Sequence, residues 1–301
     1  MSTSALFDSA FLAKLEQLHL LARRMFRGDR RAERRTRESG AGFEFADYRE
    51  YTPGDEPRSI DWNAYGRLER LFVKLHEQEQ DLPVTFLVDC SASMRWLPEE
   101  KMDALSKLDH ARRLCAALAY IALANLDRVD IHFFAASSVG KLGVARGKAQ
   151  FHSVLKFLDA PPDADGPTRL LNAAQSLTQR ARRRGLVFVL SDLFDPLGYE
   201  EPLSLLRHSQ FDVHVLQILA PEELSPSATG DLNLKDIESG SAMDITANEK
   251  LLRRYSEEIR TFNDALESFC LRRGIAFAQV TTDVPFEDIV LRALRDGVMI
   301  R

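Results

Sequence analysis

The chain has 301 residues, 45% of them hydrophobic and 28% charged. That balance excludes a wholly disordered, collagen-like or fibrous chain and allows one large domain or two smaller ones. Forty basic residues against forty-five acidic ones give a net charge of −5, which offers no general attraction for phosphate polymers.

Residues 8–26 read as a helix, because Phe11, Leu12, Leu15, Leu18 and Leu21 recur at helical spacing. Asp8, Lys14, Glu16 and His19 interrupt the apolar character, so this is not a secretory signal. The longest apolar run, Leu114 to Ala124, falls short of the roughly 20 residues a membrane span needs. A soluble, cytoplasmic protein is expected. Cys90, Cys115 and Cys270 form no CxxC pair, so neither a zinc ribbon nor a disulfide framework is expected, and a reducing compartment fits.

An Arg-rich stretch follows the first helix. Residues 21–40 hold eight arginines against three acids, a net of +5, which leaves −10 on the remainder. The plainer reading of 23–37 is a solvated helix face. Phosphate contact is the alternative, but only Phe26 offers an aromatic there, so nucleic-acid binding is not expected. In residues 42–80, Pro53-Gly54 suits a type II turn and Leu71 to His76 alternates like a strand.

From residue 83 the pattern turns α/β. Buried strands are predicted at 83–89, 129–135, 185–192, 211–219 and 275–281, with 138–142 as an antiparallel partner of 129–135. Helices are predicted at 103–126, 150–159, 168–184, 199–208, 248–273 and 286–296. Two short strands around Glu238 to Ser241 predict an inserted hairpin at about 230–247. The fold class is therefore α/β: a doubly wound, mostly parallel sheet, with residues 1–80 as an N-terminal helical and β extension and 81–301 as the main domain.

Asp89-Cys90-Ser91-Ala92-Ser93 follows the first buried strand. One carboxylate and two hydroxyls leave the sheet at alternate positions, on the edge where open parallel sheets bind ligands. Thr168 follows the Gly166-Pro167 turn, and Asp192 ends the 185–192 strand. The five together offer oxygen alone, which suits a hard cation: Mg²⁺, with Mn²⁺ or Ca²⁺ as alternatives. Singly, Ser91 or Thr168 would more often cap a helix, and Asp192 would be a strand-end carboxylate with Asp195 as a competitor. Cys90 should face away from such a site. His132 and His214 lie in strands and read as core or rim residues. No GxxxxGK, GxSxG or HExxH motif is present.

This arrangement resembles the metal-ion-dependent adhesion site of von Willebrand factor A domains. The upstream block, Glu44-Phe45, Arg49-x-Tyr51, Pro53-Gly54-Asp55, Arg58, Ile60-Asp61-Trp62 and Val73-Lys74, is similar to the signature of a bacterial family of unknown function. Members of that family are associated with MoxR-type AAA+ ATPases. The resemblance runs from about residue 40 to the end and includes the hairpin. It implies a von Willebrand A-like sheet, with Asp89, Ser91, Ser93, Thr168 and Asp192 as the metal site. There the hydroxyls bind metal directly and the carboxylates act partly through water. It further implies a non-enzymatic adaptor or co-chaperone that works with such an ATPase on a client protein offering an Asp or Glu. Asp55, Arg58, Asp61 and Trp62 are candidates for a partner surface, or alternatively for a buried ion pair with a turn and an aromatic anchor. A metal-dependent phosphoester hydrolase and a nucleic-acid-associated adaptor using the Arg-rich arm are the competing functional readings.

Overall fold

The computed structural model describes residues 5–26, 44–53, 55, 57, 60–77, 81–97, 104–163, 168–181, 183–226, 229–238 and 240–295. Two compact units divide the chain: residues 23–81, and residues 1–22 with 82–301.

In the smaller unit, β1 (Glu44–Glu50) pairs antiparallel with β2 (Phe72–Glu77). The Tyr51 N–H donates to the Leu71 carbonyl at 2.9 Å and so extends the ladder. Helix α2 (Trp62–Leu68) sits in the connection, after α1 (Ser9–Phe26). The αL backbone of Glu69, φ 53°, ends α2, and its N–H donates back to the Tyr65 carbonyl.

The larger unit is built on a mixed sheet. Its strands are β3 (Pro83–Asp89), β4 (Arg128–Phe134), β5 (Ser138–Lys141), β6 (Ala145–Arg146), β7 (Leu186–Ser191), β8 (Asp212–Leu219) and β11 (Ala276–Thr281). The order is β11-β8-β7-β3-β4-β5, with β6 also on β4. Pairings among β11, β8, β7, β3 and β4 are parallel, and β5 and β6 run antiparallel to β4. The parallel strands are runs of Val, Ile, Leu and Phe because they are covered on both sides. Leu87, Val187, Val189, Val213 and Val215 share a core with residues of α6 (Leu170–Arg180), α7 (Glu200–His208) and α9 (Glu249–Arg272). Alternation turns Phe86 and Phe188 the other way, where their rings stack at 5.2 Å.

Against that second face lies α4 (Lys107–Ala124), flanked by α5 (Phe151–Asp159) and α10 (Phe286–Arg295). The short helices α3 (Ala92–Arg95) and α8 (Pro221–Leu224) follow β3 and β8. The inserted hairpin, β9 (Gly230–Lys235) with β10 (Ala242–Ala247), forms a sheet of its own.

Element ends differ from the sequence reading where caps decide them. Helix α4 starts at 107 and not 103, because the Ser106 hydroxyl accepts the Asp109 N–H at 3.0 Å and the Asp109 carboxylate accepts the Ser106 N–H at 3.3 Å. Helix α6 is shorter than 168–184. Arg169 is extended (φ −138°, ψ 77°), and beyond the helix Arg184 donates back to the Ala181 carbonyl at 3.3 Å. The N-terminal boundary also differs. Residues 1–22 belong with the larger unit, not with an extension ending at 80, because Phe11 packs on Phe286 at 4.8 Å between ring centroids.

One glycine is dictated by a close approach. A Cβ on Gly185, just before β7, would lie 2.1 Å from the Pro83 carbonyl oxygen at the start of β3. Gly185→Ala should therefore destabilise the larger unit by about 1–3 kcal/mol through forced strand separation. Urea unfolding measures it, with Gly66→Ala, where the added methyl meets open space, as the control expected to cost nothing.

Candidate functional site

The chain runs from β3 to β4 on one side of β3, then crosses back to β7 on the other side. The winding therefore reverses between β3 and β7, and the crevice at their carboxyl ends is the topological switch point where open α/β sheets place ligands. Asp89 ends β3 and Asp192 directly follows β7, both fully buried.

The Asp89 carboxylate has a partner at each oxygen. Oδ1 accepts the Ser91 N–H at 2.9 Å, and Oδ2 accepts the Ser191 hydroxyl at 2.6 Å. Burial, followed by the charge of Asp192, pushes the Asp89 carboxyl up to about 7 against those two donors. The Ser91 and Ser93 hydroxyls stand 3.1 Å apart, and Ser93 donates to Asp192 Oδ2 at 2.9 Å. Ser91 occupies the N-cap position of α3 without making a side-chain cap bond, so its hydroxyl is not spent on the helix.

Thr168 is likewise no cap. Its buried hydroxyl donates to Glu238 Oε1 at 3.3 Å, and Glu238 links it to the rest of the group. The role of helix opener falls to Asp195, the competitor of Asp192. Asp195 accepts the Leu170 N–H at the start of α6 and the Leu197 N–H, each at 2.9 Å. Cys90 turns toward β4, where its thiol donates to the Phe134 carbonyl at 3.3 Å. Burial pushes that thiol up to about 12, and all three cysteines are buried and free. His132 and His214 are buried in β4 and β8 beside Asp130 and Asp212.

Three charged residues at the site were not singled out from sequence. Lys107 is 1% exposed and places Nζ 2.8 Å from Asp192 Oδ2 and 2.5 Å from Glu223 Oε1. Burial disfavours its charge, but the two carboxylates outweigh burial and hold its pKa above the ordinary lysine value. One sequence signal did exist: a lysine opening a helix is on the wrong end of the macrodipole. Lys107 also heads the buried stripe Ala111, Leu114 and Leu118. Glu238 comes from the turn of the hairpin, and burial and then Asp192 raise its carboxyl pKa, with Thr168 and Ser93 acting in opposition. Backbone strain adds to the picture. Leu193, next to Asp192, holds φ 63°, a left-handed conformation that leucine rarely adopts, with its N–H bonded to the Ser191 hydroxyl.

Among the described residues, no three His, Cys, Asp or Glu side chains group as a metal-binding cluster. The donor set at the switch point is of another kind, rich in hydroxyls and poor in carboxylates.

The candidates in the smaller unit divide. Asp55 serves the local turn: its carboxylate accepts the Thr52 N–H at 2.8 Å and pairs with Arg49 at 2.7 Å, which together lower its pKa to about 2. Asp61 is buried and caps α2, accepting the Asn63 N–H at 2.9 Å. Trp62 is 64% exposed, with Tyr65 edge-on to it. Arg58 lies outside the described residues. So does the Arg-rich arm, apart from the helical backbone of 23–26.

Comparison with known proteins places the chain in a family. Residues 47–264 match the model of a protein family of unknown function, DUF58. The chain belongs to the DUF58 family. Uncharacterized proteins of Mycobacterium bovis and Mycobacterium tuberculosis are each 24% identical over 246 residues, covering 81% of this chain and 76% of theirs. Among solved structures, a conserved hypothetical protein BatB from Bacteroides thetaiotaomicron is 16% identical, with a TM-score of 0.46 over 72% of this chain and 99% of that one. An aerotolerance-related membrane protein from Bacteroides fragilis is also 16% identical, with a TM-score of 0.47 over 73% of this chain and 100% of that one. In this DUF58 chain, no helix among the described residues is long and apolar enough to cross a membrane.

Proposed function

We propose that the chain is a non-enzymatic, Mg²⁺-dependent protein-binding module with a von Willebrand A-like sheet. In this reading it is an adaptor or co-chaperone for a MoxR-type AAA+ ATPase that remodels or matures a protein complex. The observation that carries the metal reading is the run of oxygens Ser91 Oγ, Ser93 Oγ and Asp192 Oδ2, spaced 3.1 and 2.9 Å. Neighbouring ligands of an octahedral Mg²⁺, with bonds of about 2.0–2.1 Å, are about 2.9 Å apart. The residues present therefore fit the ion. Ser91, Ser93 and Thr168 would supply neutral oxygens to it, and Asp89 and Asp192 would supply the charge.

Held by Ser91, Ser93, Thr168, Asp89 and Asp192, largely through neutral oxygens, such an ion would stay electrophilic and would supply a docking point for an Asp or Glu carboxylate of a partner. The chain's own part is to hold the donors in place. Ser191 and the Ser91 N–H fix Asp89, and Gln217 Nε2 holds the Asp192 carbonyl at 3.3 Å. The ATPase partner rests on the sequence resemblance of the upstream block, in which Trp62 is exposed and free to meet a partner.

Affinity capture from source-cell lysate in Mg²⁺ and again in EDTA tests the reading. A partner held in Mg²⁺, released by EDTA and lost with Asp89→Ala is the expected result. Partners indifferent to both would overturn it.

A further inference from the structure

We infer that Glu238 is the site's resident acidic ligand: the hairpin holds in cis the place that a partner carboxylate takes, and a partner binds by displacing it. This rests on the metal reading above.

The hairpin turn is tightly organised. The Glu238 N–H donates to Asp236 Oδ1 and the Gly240 N–H to the Asp236 carbonyl, each at 2.8 Å, with Gly240 at φ +71°. That turn aims the Glu238 side chain at Thr168, whose hydroxyl donates to Oε1 at 3.3 Å, and the carboxyl also senses Ser93 and the charge of Asp192. One carboxylate thus touches or faces three of the five proposed metal residues.

Its position is electrostatically odd without a cation. Among the described residues no lysine or arginine pairs with Glu238. Lys107, the lysine of the group, is already shared between Asp192 and Glu223. Carboxylates brought together repel one another, and either a proton or a cation held between them relieves the repulsion.

The hairpin is also built to leave. It forms a separate two-stranded sheet, and in β9 only Leu232 is partly covered. Two-stranded sheets are marginal by themselves. Displacing the tip therefore breaks few packed contacts, which a cis ligand that must yield to a partner requires.

The test uses the full-length chain with Mn²⁺ as the metal probe and acetate as the carboxylate probe. Wild type, Glu238→Gln and Asp89→Asn are compared by Mn²⁺ affinity and by water-proton relaxation of the bound ion. Glu238→Gln should bind Mn²⁺ roughly tenfold more weakly. Its bound ion should relax water more strongly, and acetate should reverse that gain in the variant while leaving wild type unchanged. Equal affinity, relaxation and acetate response in wild type and Glu238→Gln would overturn the inference and leave the metal site standing. Failure of wild type to bind Mn²⁺ would remove both together. The glutamine is isosteric and sits in the hairpin turn, and a circular dichroism spectrum matching wild type is the check that the variant is folded.

Discussion

Lys107→Met should destabilise the larger unit by about 3–5 kcal/mol, the range for removing one partner from a buried ion pair. Methionine matches the lysine stem in length, so packing beside Ala111 is kept and the change is chiefly one of charge. What remains is Asp192, 1% exposed at its side chain, and Glu223, 18% exposed, facing each other without their cation. Urea unfolding in EDTA reads the loss. Millimolar Mg²⁺ should restore part of it, because an ion at Ser91, Ser93 and Asp192 supplies positive charge to one of the two stranded carboxylates. A loss below 1 kcal/mol would mean that the Lys107 contacts to Asp192 and Glu223 contribute little to the stability of the larger unit.

Asp89→Asn should act in the opposite direction. The Asp89 carboxyl is raised to about 7 by burial and Asp192, so folding binds a proton that the unfolded chain releases near the ordinary carboxylate value. The resulting penalty is absent below about pH 4, grows as the pH rises toward 7 and is constant above it. Asparagine keeps the shape, and the Ser191 hydroxyl can turn to accept from its amide. At pH 8 in EDTA the variant should be more stable than wild type by about 1–3 kcal/mol, and near pH 4 the difference should vanish. Mg²⁺ should stabilise wild type and leave Asp89→Asn unaffected. Thermal unfolding at the two pH values, with and without metal, measures all three. A site that costs stability until filled is a site shaped for its ligand and not for the fold.

The strands were legible because each is a short, continuous run of apolar residues, and only a sheet covered on both faces calls for several such runs. Their observed ends fall within two residues of the sequence reading. Helix ends were less legible, since Ser106 and Arg169 decide them through hydrogen bonds and backbone angles that no apolar period encodes. The N-terminal helix was legible as a helix but not as part of the larger unit, because its partner Phe286 lies near the other end of the chain. At the site, Asp89, Ser91 and Ser93 were legible together since they are neighbours in sequence directly after a strand. Thr168 and Asp192 followed from equivalent places at the sheet edge. Glu223 and Glu238 left no local signal. They join Lys107 and Thr168 across separations of 116 and 70 residues, and nothing short of the folded loops brings them together.

The most direct measurement is a crystal structure of the full chain grown in Mn²⁺, with anomalous scattering recorded at the manganese edge. One strong peak is expected at the switch point between β3 and β7, within ligand distance of the Ser91 and Ser93 hydroxyls. No peak there at saturating Mn²⁺, or a peak only at surface carboxylates, would contradict the metal reading.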